Sequence, residues 1–235
     1  MTEHSRHQAN NTGLAIIVPV LNELKVLPDL LKHLQHWQQR GIEVVLVDGG
    51  SSDTTVEAAK AAGFRVITAT AGRALQMNAG AQASASANLL FLHADTRLPA
   101  NADQHLQAIF KTTPQAWGRF DVHIEGCSRL LPLIALLMNI RSRLTGIATG
   151  DQAIFMSREL YNRVGGYPEQ PLMEDIEISK RLKQICAPVC LKQKATTSGR
   201  RWDTHGSWHT ITLMWQLRWA YWRGTPANQL AERYR

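Results

Sequence analysis

The sequence predicts an α/β domain with a mostly parallel central sheet flanked by helices. Three observations carry that expectation. Strand-like and helix-like segments alternate through the N-terminal half. The strands are short runs of branched apolar residues without polar alternation, as strands covered on both faces require. The polar residues able to do chemistry collect just after those strands, where open parallel sheets bind their ligands.

Taken in order, LAIIVPV from Leu14 to Val20 reads as a buried strand, with Pro19 marking its end. Leu27, Leu30, Leu31, Leu34 and Trp37 then recur at helical spacing up to Gly41. A second strand, EVVLVD, spans Glu43 to Asp48. After a Gly-Gly-Ser-Ser turn, Asp53 is placed to cap an Ala-rich helix over 54–62 that Gly63 closes. The pattern repeats with FRVITA at 64–69, a helix over 74–86 and the strand LLFLHAD at 89–95. Beyond residue 115 the order turns α+β, with a strand at 117–125, an apolar helix at 130–144 and a strand near 152–157. From Gly206 onward the chain reads as helical and aromatic. No repeat or linker divides it, so the expected organisation is a flexible polar tail over 1–12, one domain over 13–205 and a C-terminal aromatic helical segment over 206–235.

A length of 235 residues suits one large domain, and 44% hydrophobic with 19% charged residues is globular composition. The first dozen residues hold no apolar core of a secretory signal, so a cytoplasmic protein is expected. Cys127, Cys186 and Cys190 form no even framework and read as reduced thiols. A net charge of +7 favours an anionic partner: nucleotide phosphates, an acidic leaflet or nucleic acid. The longest apolar stretch, Leu130 to Ile140, falls short of the ~20 residues that cross a bilayer.

Asn22 and Glu23 follow the first strand, Asp48 ends the second, and Asp95 ends the strand expected at 89–95, so separate strands deliver polar groups to one edge. One such acid is ordinarily a helix cap; three in register suggest a site. Neither a dinucleotide GxGxxG nor a GxxxxGK[ST] loop is present. Gly49, Gly50, Ser51 and Ser52 instead offer backbone N–H groups and hydroxyls with little bulk.

The strings VPVLNE at 18–23, VDGGSSDTT at 47–55, GRALQMNAGA at 72–81 and HADT at 93–96 resemble family 2 glycosyltransferases of the GT-A (Rossmann-like) fold. The resemblance extends over about residues 13–205, and is closest to a small bacterial branch with GRAxQxNxG and SxRRWxxHG signatures. It implies a nucleotide-sugar donor, UDP-linked by preference, and an inverting transfer to a hydroxyl acceptor. Pro19, Asn22 and Glu23 would line the nucleoside pocket with Gly49 and Ser51, Asp48 would accept a hydrogen bond from the base, and Arg73 would lie near the phosphates. The family's metal-binding Asp-x-Asp reads His93-Ala94-Asp95 here, so its first carboxylate is missing. Asp95 still supplies the hard oxygen that Mn²⁺ or Mg²⁺ prefers, with His93 a further ligand or merely a hydrogen-bonding group.

Gly150-Asp151-Gln152 and the pair Glu174-Asp175 supply polar groups for the donor and acceptor. Acids at a helix start complement its dipole, yet the segment 165–182 also resembles the family's acceptor region. That likeness makes Asp175 the general base, with Glu174 in reserve. Glu177 stands i,i+4 to Arg181 and reads as a solvated ion pair. Where the family carries Gln-x-x-Arg-Trp, this chain has Ser198-Gly199-Arg200-Arg201-Trp202 and then His205. Arg201 would neutralise the departing diphosphate, Trp202 would stack on the sugar and His205 would add a metal ligand; a surface arginine pair beside a packed Trp is the plainer reading.

Five of seven tryptophans lie between 202 and 222, and Trp208, Ile211, Trp215, Trp219 and Trp222 share one helical face opposite Leu213, Leu217 and Ala220. Such a helix packs one face on the domain and the other on a partner such as a second copy or on the 130–144 helix, or it meets the headgroups of the inner membrane face, where a lipid-linked acceptor would be found. The rivals are a nucleotidyltransferase on a similar sheet and a non-catalytic nucleotide-sugar or membrane-surface binding protein. Nucleic acid is not the expected partner.

Overall fold

The computed structural model describes residues 13–234, the His205 side chain excepted; the tail expected over residues 1–12 lies outside the described residues. The N-terminal half comprises β1 (Leu14–Val20), α1 (Leu27–Gln39), β2 (Glu43–Asp48), α2 (Thr55–Ala61), β3 (Arg65–Thr68), α3 (Arg73–Ala83), β4 (Asn88–Phe91), β5 (Thr96–Arg97) and α4 (Ala102–Thr112). The rest comprises β6 (Trp117–Glu125), α5 (Leu131–Thr145), β7 (Ile154–Ser157), α6 (Arg158–Arg163), α7 (Glu174–Lys183), β8 (Val189–Ser198), α8 (Arg200–His205), α9 (Ser207–Trp222) and α10 (Ala227–Tyr234).

The strands form one sheet in the order β3-β2-β1-β4-β7-β6-β8-β5. Its first four strands are parallel; β7 reverses between β4 and β6, β8 runs with β6, and β5 reverses again. Pleating sends Ile16, Val18, Val44 and Leu46 to one face, where they meet Leu27, Leu30, Leu34 and Trp37 of α1. Ile17, Val45 and Val47 face the other way, onto Ala74, Met77 and Ala81 of α3 and Ile178 and Leu182 of α7. Burial on both faces explains why these strands carry no alternation.

The structure moves several expected boundaries. The strand foreseen at 89–95 stops at Phe91, because the chain turns once Leu92 N–H has bonded Ile17 O and Thr96 N–H closes on His93 O (3.0 Å). His93, Ala94 and Asp95 therefore lie on a loop. The helix foreseen at 54–62 begins at Thr55 after a Thr54 N-cap; Asp53 caps from one residue earlier, accepting Thr55 N–H (3.0 Å) and Leu24 N–H (3.3 Å). The helix foreseen at 74–86 ends at Ala83, where Ser84 and Ser86 leave it to donate to Glu43 (2.6 and 3.0 Å). Pro19 does not end β1; it sits beyond the reach of β4, whose pairing stops at Ile17, so its missing N–H breaks no ladder there.

At the C-terminal end, Leu213, Leu217 and Ala220 of α9 pack with Leu172, Met173, Ile176 and Leu230. Ile211, expected on the tryptophan face, turns to Leu131 and Ile134 of α5. The tryptophans stay outside: Trp208, Trp215, Trp219 and Trp222 are 71%, 74%, 59% and 70% exposed. On α5, Leu133, Leu136, Leu137, Ile140 and Leu144 are exposed as well. Among the described residues no helix is long and apolar enough to cross a membrane.

Candidate active site

Strands β1, β2 and β4 point the same way, and the loops leaving β1 and β2 are laced together. Asn22, at a φ of +54°, accepts Ser52 N–H (2.8 Å) and donates its own N–H to Ser51 Oγ (2.9 Å), while Glu23 N–H reaches Thr55 Oγ1 (3.1 Å). Asp48 is buried and braces the turn between them, accepting from Gly50 N–H (2.9 Å) and Ser51 N–H (3.1 Å). Its oxygens serve the turn first. Gly49 passes so close to Gln76 that a Cβ there would stand 3.0 Å from its amide, which accounts for a glycine at that point.

Helix α3 ties this wall to the next. Buried Gln76 donates from Nε2 to Val20 O (2.8 Å) and Val47 O (2.7 Å), fixing the ends of β1 and β2. Asn78 donates to Tyr167 O (2.8 Å) and accepts from Tyr167 N–H (2.9 Å) and the Tyr161 hydroxyl (2.8 Å). Arg73, at the start of α3, reaches Glu174 (3.4 Å) at the start of α7. Sequence reasoning missed the roles of Gln76 and Asn78, although both stand in the string quoted for the resemblance; their separation of two residues already puts them on opposite faces of a helix.

Asp175 is held by two backbone donors, Gly150 N–H (3.0 Å) and Ile176 N–H (2.7 Å). Glu174 beside it is buried, and that burial, reinforced by the Asp175 charge and opposed by Arg73, lifts its pKa above the usual carboxylate range. Both acids line a small cavity with Met77, His93, Gly150 and Tyr167. Glu177 pairs with Arg181 (3.4 Å), as its spacing suggested.

Glu23 is also shifted upward, first by burial and then by the charges of Asp95 and Asp53, with Arg200 and Arg73 working against them. The Arg73 charge acts on Glu23, and those of Glu174, Asp151 and Asp175 act on Arg73, so this arginine links the acids that follow β1 to those that start α7. Asp151 faces His93 Nδ1 at 3.4 Å. Burial opposes its ionisation, but the hydrogen bond and charge of His93, then Arg73 and Arg201, prevail and hold its pKa low. Arg201 stacks 3.7 Å over the Tyr234 ring and donates to Tyr234 O (3.2 Å), so α10 returns to the edge of the cleft, a contact no motif announced. Trp202 packs toward Val122 and Leu131, which fits the packed-Trp reading better than stacking on a sugar. The His205 side chain lies outside those described.

Among the described residues no three His, Cys, Asp or Glu side chains are grouped to hold a metal. His93 Nδ1 faces Asp151, and its Nε2 lies so close to Gly150 that a Cβ there would collide with it. Glu23 and Asp95 fit a hard cation better. Both are oxygen donors, and the Asp95 charge reaches Glu23 together with the opposing charges of Arg200 and Arg73.

The model of glycosyl transferase family 2 matches residues 15–161. The chain is 30% identical over 118 residues to a 4,4'-diaponeurosporenoate glycosyltransferase of Staphylococcus haemolyticus (strain JCSC1435), across 47% of this chain and 31% of that protein. It therefore spans about a third of the length of that curated relative. Residues 1–349 of TarS from S. aureus superpose with a TM-score of 0.62 at 16% identity, covering 79% of this chain and 60% of that one. The mannosyltransferase PcManGT from Pyrobaculum calidifontis, in complex with GDP-Man and Mn²⁺, gives 0.59 at 20% identity over 78% and 56%. Glucosyl-3-phosphoglycerate synthase from Mycobacterium tuberculosis, in complex with Mg²⁺ and UDP, gives 0.58 at 17% identity over 78% and 69%. At these identities the solved structures speak for the fold.

Proposed function

Because the chain belongs to glycosyl transferase family 2 and has the GT-A fold, we propose that it transfers a sugar from a nucleotide-sugar, UDP-linked by preference, to a hydroxyl acceptor with inversion. The observation that supports this reading is that Arg73 reaches Glu174 (3.4 Å) beside an Asp175 held by two backbone N–H groups, while its charge also acts on Glu23. The interlocked loops at Asn22 and Ser51 would seat the nucleoside, with Pro19, Gly49 and Asp48 behind it. Arg73 and Arg201 would face the phosphates. Asp175, oriented by two backbone N–H groups, would take the proton of the attacking hydroxyl. Glu174, tied to Arg73, would keep that arginine in place. A divalent cation, Mn²⁺ or Mg²⁺, would be held by Asp95 and Glu23 and would neutralise charge on the diphosphate.

The test is a thermal-shift panel of nucleotides with and without Mn²⁺. UDP conjugates are expected to raise Tm only with the metal, by the equivalent of ~2.7 kcal/mol at 100 times Kd. An Asp95→Ala variant that responds as strongly as the parent rules out the cation role. Asp175→Asn should bind UDP normally yet release it from UDP-sugar about 10²–10⁴ times more slowly. Release of pyrophosphate from a nucleoside triphosphate and a sugar phosphate would instead identify a nucleotidyltransferase.

We also propose that the exposed apolar faces of α5 and α9 rest on an anionic membrane surface, which would bring a lipid-linked acceptor within reach. Four exposed tryptophans and five exposed aliphatic residues support this, as do the exposed Arg129 and Arg223 on the same segments.

A further inference from the structure

Helix α5 carries Arg141 and Arg143 on opposite sides, because two residues at 100° each set them about 200° apart. Arg143 is neutralised: it donates to Asp121 (2.7 Å) and to Cys190 O (3.1 Å). Buried Arg119 shares the same Asp121. Arg141 points elsewhere, and both of its terminal nitrogens are buried without a hydrogen-bond partner. Arg218 follows Leu217, which packs α9 on Met173 and Ile176 beside Asp175; its charge repels Arg141, and the Asp175 charge acts on both arginines. Among the described residues neither arginine forms an ion pair, and Asp175 already serves Gly150 and Ile176.

Two guanidinium groups from different helices, half-buried and without an ion pair among the described residues, make a place that an anion would satisfy. Arginine's planar fork suits phosphate or carboxylate oxygens in particular. The donor phosphates are assigned above to Arg73 and Arg201, whose charges both act on Asp151. We propose that Arg141 and Arg218 bind an anionic group, phosphate or carboxylate, carried by the acceptor, and so bring its hydroxyl to Asp175. This rests on the reading of Asp175 as the base. Burial and then the Arg218 charge push the Arg141 pKa down to about 10, and burial lowers that of Arg218 too. At neutral pH both remain cationic.

The experiment fills the donor site with UDP and Mn²⁺ and titrates the protein calorimetrically with inorganic phosphate, glycerol 1-phosphate and glycerol at constant ionic strength. Phosphate and glycerol 1-phosphate are expected to bind and glycerol is not. The double variant Arg141→Gln/Arg218→Gln should weaken both anions at least tenfold and leave UDP affinity within twofold. Lys192→Gln/Lys194→Gln, which removes the same charge from exposed positions of β8, should change neither. Equal phosphate affinity in the two double variants overturns the proposal, as does glycerol binding like its phosphate. A lipid-borne anion is distinguished by phosphatidylglycerol vesicles, which the arginine variant then binds less well than the lysine variant; equal vesicle binding with weakened phosphate marks a soluble acceptor. Failure of UDP to bind the parent protein overturns the donor reading instead, and the phosphate comparison then runs on the free protein. If the arginine double variant loses cooperative unfolding, Arg218→Gln against Lys192→Gln makes the same comparison.

Discussion

At the scale of the residue, His33 accepts the Trp37 indole N–H (3.1 Å) and Leu98 N–H (3.0 Å) at Nε2, which only the neutral ring can do. Burial, then the charges of Arg97 and His36, lowers its pKa from 6.5 to about 4. The neutral ring is favoured by the fold, so its contribution is complete above pH 6.5 and is lost as pH falls toward 4. Urea unfolding at pH 7 and pH 4 should show a loss of up to about 3 kcal/mol from this group, absent in His33→Gln. Arg141 should behave in the opposite sense. Arg141→Met removes a buried cation without a partner and should raise Tm, by about 1 kcal/mol of added stability, at the expense of phosphate binding. Neither effect was legible in the sequence, because nothing in a lone His or Arg says whether its neighbours complete it. The acids after the strands were legible as residues, but not as roles: Asp48 braces its own turn while Asp95 and Glu23 crowd each other.

Among the elements, α3 bears most directly on the site. Gln76→Leu would take the Gln76 bond from Val47 O and leave Val20 O with Gly49 N–H (3.0 Å) alone, a cost of about 1–3 kcal/mol, and should weaken UDP binding by releasing the ends of β1 and β2. Gly80→Ala would press a methyl against Ile17 Cγ2 and, at 2.9 Å, Val47 Cγ2; about 1–3 kcal/mol should be lost with UDP affinity preserved in the folded fraction. Comparing the two by denaturation and calorimetry separates bracing the site from packing beneath it. Elements with a clear apolar signature, whether a continuous run as in β1 and β2 or a helical stripe as in α1, could be read from the sequence because burial dictates their residues. Helix α4 and β8 could not. Asp103 sits on the buried side of α4 and is paired with Arg40 (2.6 Å), which blurs the apolar stripe, and β8 is polar because its pairing with β6 and β5 rather than a deep core holds it.

For the whole molecule, α9 packs inward through Leu217 and outward offers tryptophan, so the chain leaves one surface uncovered. Vesicles of phosphatidylglycerol should sediment the protein, and those of phosphatidylcholine far less. Trp208→Ser/Trp215→Ser should release it without lowering Tm, since both side chains are more than two-thirds exposed. A stable dimer in sedimentation velocity that these substitutions dissolve would assign the surface to a second copy instead. The same molecule holds a constraint on sequences not yet compared. Because the ring of His93 fills the space beside the Gly150 α-carbon, the two positions are free to change only together. Kindred chains with imidazole at 93 should keep glycine at 150, those with a shorter acid at 93 can tolerate a side chain there, and one pairing a histidine with a bulky partner would show that the backbone gives way.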